Sequence, residues 1–176
     1  MIRIITTLVI TLVSQILFSQ SVFDKFENND DVTTVIVSKK MFEMMGKVKV
    51  DSKDPQTQQF LNLVKKLENL KVYVTSNLKV GSELKVASEK YLKSANLEEL
   101  MRVNDSGKNV RILVRTGAKD SQIRELFMLI EGSAKDNDTV VLSLIGDFDL
   151  NEISALTDQM NLPGGEELKK ASKGKK

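Results

Sequence analysis

Between residues 97 and 145, four apolar, β-rich runs follow one another with only short polar breaks. This spacing constrains the fold more than any other feature. The runs cover residues 97–103, 110–115, 123–131 and 139–145, with continuation of the preceding helix as the alternative for the first. Asn104-Asp105-Ser106-Gly107, residues 117–120 and residues 132–138 separate them. Connections this short join antiparallel neighbours, because a parallel crossover needs a dozen residues or more. Val110, Ile112 and Val114 alternate with Arg111, Leu113 and Arg115, the pattern of a strand with one solvated face.

Upstream, helices and strands interleave. Residues 32–37 are β-branched and predict a strand. Residues 39–45 predict a short helix closed by Gly46. Asp54 is a helix N-cap, with Pro55 at the first helical position, where its missing N–H costs nothing. Phe60, Leu63, Val64 and Leu67 then form one apolar helix face that ends near Leu70. Residues 71–76 predict a second strand. Gly81-Ser82 opens another helix, with Leu84, Ala87, Tyr91, Leu92 and Ala95 on its buried side. A last helix is expected from residue 150 to about 160, stopped by Pro163-Gly164-Gly165. The sum is an α+β domain: an antiparallel sheet of about six strands with helices packed on one face.

The first residues carry a different signal. Met1-Ile2-Arg3 is a short basic head, residues 4–18 are mostly apolar, and Ser19-Gln20-Ser21 is a small-residue exit. That is the layout of a secretory signal peptide. The apolar part is shorter and more polar than the roughly twenty residues of a spanning helix. Residues 1–21 are therefore expected to be a cleaved signal, residues 22–165 a single domain, and residues 166–176 a flexible lysine-rich tail. The expected location is the periplasm or the exterior, with no stable transmembrane segment after cleavage.

Absences narrow the chemistry. The 176 residues contain no cysteine and no histidine. Disulfides, thiolate metal sites, cysteine nucleophiles and Ser-His or Cys-His pairs are excluded. Tryptophan is absent and only two tyrosines are present, so aromatic platforms for sugars or bases are scarce. Without Arg3 the chain has 25 basic and 24 acidic residues. That balance lacks the basic footprint of a nucleic-acid binder. No cofactor is expected.

Three stretches resemble a known family in the same order: "FDKF" followed by "TTVIVSKKMFEMM", then "LEELMRVNDSGKNVRILVR", then "VVLSLIGDFDLNEISAL". Together they resemble the domain-of-unknown-function 4252 family, small exported proteins of Bacteroidota, over residues 23–161. The resemblance implies export and an α+β fold. It brings no catalytic residues. Many relatives carry a lipoprotein cysteine after the signal, and this chain has none, which favours an unanchored protein.

Four features invite a functional reading. Gly146-Asp147-Phe148-Asp149-Leu150-Asn151-Glu152 looks like the start of a calcium loop. Such a loop needs glycine at its sixth position and glutamate at its twelfth, and here Glu152 and Asp158 stand there. Asp149 and Glu152 instead have capping-box spacing, and Phe148 with Ile153 has hydrophobic-staple spacing. Four of the five arginines, Arg102, Arg111, Arg115 and Arg124, cluster on the meander. They predict an anion-recognising sheet face, or a solvated face paired across strands to Glu98, Glu99 or Glu125. Leu126-Phe127-Met128-Leu129-Ile130 is apolar on both faces, so Phe127, Leu129, Val141 and Ile145 must be covered within the domain or by a partner. Met41, Met44 and Met45 beside Phe42 are expected to pack in the core rather than bind copper(I).

These features predict a non-enzymatic envelope protein that binds another envelope protein or a small anionic ligand through its sheet face. Two other readings stay open. One is a carboxylate-dependent hydrolase using Asp147 and Asp149, and the other a structural subunit that self-associates through a sheet edge.

Overall fold

The computed structural model describes residues 22–48, 54–105, 107–119, 121–132, 138–153, 156 and 163–173. The expected signal at residues 1–21 lies outside them. So do residues 133–137 of the third turn and residues 157–160 of the expected last helix.

The four closely spaced runs form the meander their spacing requires. β3 (Glu98–Asp105), β4 (Lys108–Thr116), β5 (Gln122–Glu131) and β6 (Thr139–Asp149) pair in succession, all antiparallel. β1 (Thr33–Ser38) and β2 (Leu67–Thr75) extend the sheet beyond β6, again antiparallel. The strand order is β1-β2-β6-β5-β4-β3. The helices are α1 (Lys39–Gly46), α2 (Pro55–Val64), α3 (Leu78–Ala95) and α4 (Gly165–Lys173), with 3-10 turns at Asp24–Phe26 and Leu150–Glu152.

Asp54 caps α2 as its position predicts. Its carboxylate accepts from the Thr57 hydroxyl at 2.7 Å and the Thr57 N–H at 2.9 Å, and Pro55 follows it. The apolar face beyond Val64 behaves differently from expectation. The helix stops, and Leu67 and Leu70 belong to β2. Leu70 stands opposite Val37 of β1 and Leu144 of β6, so the main chain there is paired on both sides. A helix end has no such partners. Strand pairing outweighs local periodicity.

α3 starts earlier than Gly81. Asn77 is its cap, its side-chain oxygen accepting from the N–H groups of Lys79 and Val80. The helix has 18 residues, about 27 Å at 1.5 Å per residue. That length carries the chain from β2 to the far edge strand, β3.

The helices lie on both faces of the sheet rather than on one. Successive strand residues point to opposite sides, and here both sides are apolar. Val72, Ile112, Met128 and Leu142 pack with Phe42 of α1, Leu63 and Val64 of α2, Leu150 and Leu168. Tyr73, Leu113, Phe127 and Val141 pack with Phe23, Phe26 and the α3 residues Leu84 and Ala87. The doubly apolar run in β5 is the sequence trace of this arrangement. Phe127, Leu129 and Val141 are buried within the domain, beneath α3 and the first 3-10 turn, and Ile145 is half-buried.

The lysine-rich end also departs from expectation. Residues 165–173 form α4, and Leu168 is buried in the core. Gly164 makes the approach possible. Its φ is +76°, and a Cβ there would lie 2.5 Å from the Met128 methyl. Among the described residues, no helix is long and apolar enough to cross a membrane.

Candidate functional site

The four arginines are placed in two ways. Arg102 and Arg111 stand opposite each other on β3 and β4 and meet at one carboxylate. Arg102 grips Glu99 with two nitrogens, at 2.9 and 2.6 Å. Arg111 donates to the same Glu99 at 3.1 Å and to Glu89 of α3 at 2.6 Å. The Arg102 and then the Arg111 hydrogen bonds hold the Glu99 carboxyl below its ordinary range. Arg115 and Arg124 are apart from this pair. Arg115 bonds Glu125 at 2.8 Å, and Arg124 lies 3.3 Å from Asp147. Each guanidinium therefore already faces a protein carboxylate. Glu99 and Glu125 were among the partners expected from sequence. Glu89 was not, because α3 reaches β4 only through the tertiary fold.

Glu125 is a buried carboxylate. It accepts from the Tyr91 hydroxyl of α3 as well as from Arg115. Burial, and then the hydrogen bond to Glu125, push the Tyr91 hydroxyl far above its ordinary pKa. Tyr91 stays protonated and acts as a fixed donor that ties α3 to β5.

The calcium-like stretch closes a strand and opens a turn. β6 runs through Asp149, and the 3-10 turn begins at Leu150. Asp149 accepts the Asn151 N–H at 2.9 Å and also the Glu152 N–H, and the Glu152 side chain accepts the Asp149 N–H at 3.0 Å, which completes a capping box. The Asn151 N–H holds the Asp149 carboxyl below its ordinary range. Phe148 and Ile153 are both buried in the same cluster. Gly146 allows close passage, since a Cβ there would lie 2.6 Å from the Lys66 carbonyl. Asp147 instead faces Gln122 and Arg124. The two aspartates thus have separate partners. Among the described residues, no three His, Cys, Asp or Glu side chains gather to hold a metal ion. A hollow of about 260 Å³ beside them is lined by polar groups such as Lys66, Lys119 and Ser121.

The sheet edges differ more than its faces. β3 is one edge. It carries Glu98, Glu99 and Arg102, and its register slips between Glu99 and Met101. Charge and a bulge are the usual guards of an edge strand. β1 is the other edge and carries neither. Its sequence is Thr-Thr-Val-Ile-Val-Ser, and its pairing with β2 is regular throughout. Val35 is 45% exposed and Ile36 46%. Met41 and Met44 of α1 are exposed beside it, so two of the three clustered methionines lie outside the core where they were expected, and Met45 packs against it. The α1 helix is short and only Phe42 is fully buried, so among the described residues its opposite side is left uncovered. The trace in sequence was an uncharged run between Asp31 and Lys39. Its place at the edge was not legible.

Among the described residues, the fold and surface define an α+β domain with two covered faces and one unguarded edge. The chain belongs to the family described as "Domain of unknown function (DUF4252)", which matches residues 26–156. No curated protein matches it. Among solved structures, it is similar to the Ran-binding protein Mog1p of Saccharomyces cerevisiae. The two share 14% identity over 85% of this chain and 78% of that one, with a TM-score of 0.32. A likeness at this level says nothing of function.

Proposed function

We propose that this chain is an exported, non-enzymatic interaction module of the cell envelope, and that it binds polypeptide along the β1 edge. Export rests on the basic head, apolar run and small-residue exit of residues 1–21. The observation that carries the binding reading is β1 itself, an uncharged, regular edge strand with half-exposed Val35 and Ile36. An exposed edge offers unpaired N–H and C=O groups to an incoming strand. The sheet faces, which the sequence favoured, are occupied by the domain's own helices. The test is crosslinking and capture from the native envelope. Val35→Lys and Ile36→Lys should lose the captured partner, while Arg115→Ala keeps it. Capture that is indifferent to β1 would overturn the reading.

The arginine surface supports a second reading. Arg102 and Arg111 converge on Glu99, so an anion that exchanges with this carboxylate would meet both forks. Glu99→Gln should then tighten sulfate binding in a titration, and a Glu99→Gln protein that ignores sulfate removes this alternative.

A further inference from the structure

From the β1 edge we infer that the strand pairs with β1 of a second copy, antiparallel, with Val35 opposite the partner's Val35. The inference rests on the edge-binding reading above and names its partner. Symmetry limits the possible registers. Opposed residues in an antiparallel pair point to the same face, and a two-fold axis through the sheet preserves that face. A symmetric pair must therefore centre on a residue and not between two. Val35 and Ile36 are the central choices in a strand of six residues.

Charge decides between them. Asp30 and Asp31 immediately precede the β1 region, and Lys39 and Lys40 immediately follow it. Centring on Val35 brings the acidic turn before each strand towards the basic start of the partner's α1. Asp31 already accepts from Asn77 and Lys39 lies 3.9 Å from Glu68, so Asp30 and Lys40 are the opposite charges left to meet at both ends of the pair. Centring on Ile36 sets Asp31 beside the partner's Met41 and Thr33 beside the partner's Lys39, which matches no charges. Asp30 and Lys40 are exposed, and neither has an ion-pair partner among the described residues. The Val35 register also places Ile36 against the partner's Thr34 on the α3 face. Both half-exposed apolar side chains of β1 are then covered, and the six-stranded sheet continues through the axis. The same strand carries both halves of the complementarity, which is the property of a surface that recognises itself.

The absence of cysteine makes the register directly testable. Val35→Cys should form a disulfide-linked dimer on mild oxidation, because opposed Cα atoms lie about 4.5–5.5 Å apart. Ile36→Cys should not, since Ile36 faces a threonine in this register. Sedimentation of the purified chain should show a mass that doubles with concentration. Asp30→Lys should weaken the dimer severalfold, and the double variant Asp30→Lys/Lys40→Asp should restore it. Crosslinking through Ile36→Cys and not Val35→Cys would overturn the register. A single-chain mass at every concentration would overturn self-pairing. If envelope capture in that case still depends on β1, the edge reading survives alone. If neither depends on β1, both fall.

Discussion

Val35 and Val72 face each other across the β1–β2 pair, on the same side of the sheet, yet Val72 is 1% exposed and Val35 nearly half exposed. One strand position makes the difference. β2 has a neighbour on each side, and β1, among the described residues, has one. Val72→Ala should cost about 2 kcal/mol, the loss of part of a buried aliphatic side chain and the space it filled. In the single chain, at concentrations too low for self-pairing, Val35→Thr should cost less than about 0.5 kcal/mol, as for most surface changes. Urea unfolding of both variants checks this, and equal losses would mean that β1 is already covered.

Asp149 and Glu152 exchange hydrogen bonds where β6 ends. Asp149→Ala should lower stability by about 1 kcal/mol, the typical value of an N-cap. Calcium should leave the melting temperature of the wild type unchanged. A calcium-dependent rise that disappears in Asp149→Ala would restore the metal reading.

Glu27 accepts from Lys71 at 2.7 Å and from the Tyr73 hydroxyl at 3.2 Å. The Lys71 hydrogen bond, against the opposing effect of burial, holds the Glu27 carboxyl below 4.5. The folded state therefore binds its proton less readily than the unfolded chain does. The stabilisation is complete above the unfolded pKa of about 4.3 and is lost as pH falls through the lower folded value. Thermal melts should show wild-type stability declining below about pH 5. Glu27→Gln should decline less over the same window. Parallel profiles would show that the pair contributes nothing to folding.

Leu168 holds α4 against the core, and Gly164 lets the chain approach Met128 and Ile130. Leu168→Ala should cost about 2–5 kcal/mol, as for other buried leucines. Gly164→Ala should also destabilise, through its left-handed backbone and its contact with Met128. Chemical denaturation of each variant checks this. A Leu168→Ala protein of unchanged stability would return the lysine-rich end to the frayed tail its composition suggests.

Much of the architecture was legible because it is local. The meander follows from turn lengths, the α2 start from Asp54-Pro55, and the capping box from the spacing of Asp149 and Glu152. Elements whose partners lie far along the chain were read less well. Leu67 and Leu70 fit a helix face until β1 and β6 claim them as strand. α4 looks like a solvated tail until Met128 and Ile130 provide a surface for Leu168. The arginine cluster was visible, but its pairing with Glu89 needs α3 laid across β4.

Periodicity, turn spacing and the missing cysteines and histidines already restrict this chain to an α+β sheet without the commonest catalytic side chains. Those properties depend on near neighbours or on composition. The open edge is of another kind. Thr33–Ser38 reads the same whether it lies in the middle of a sheet or at its border. Only the order of six strands, set by contacts between distant segments, leaves Val35 and Ile36 facing outward with half their surface uncovered.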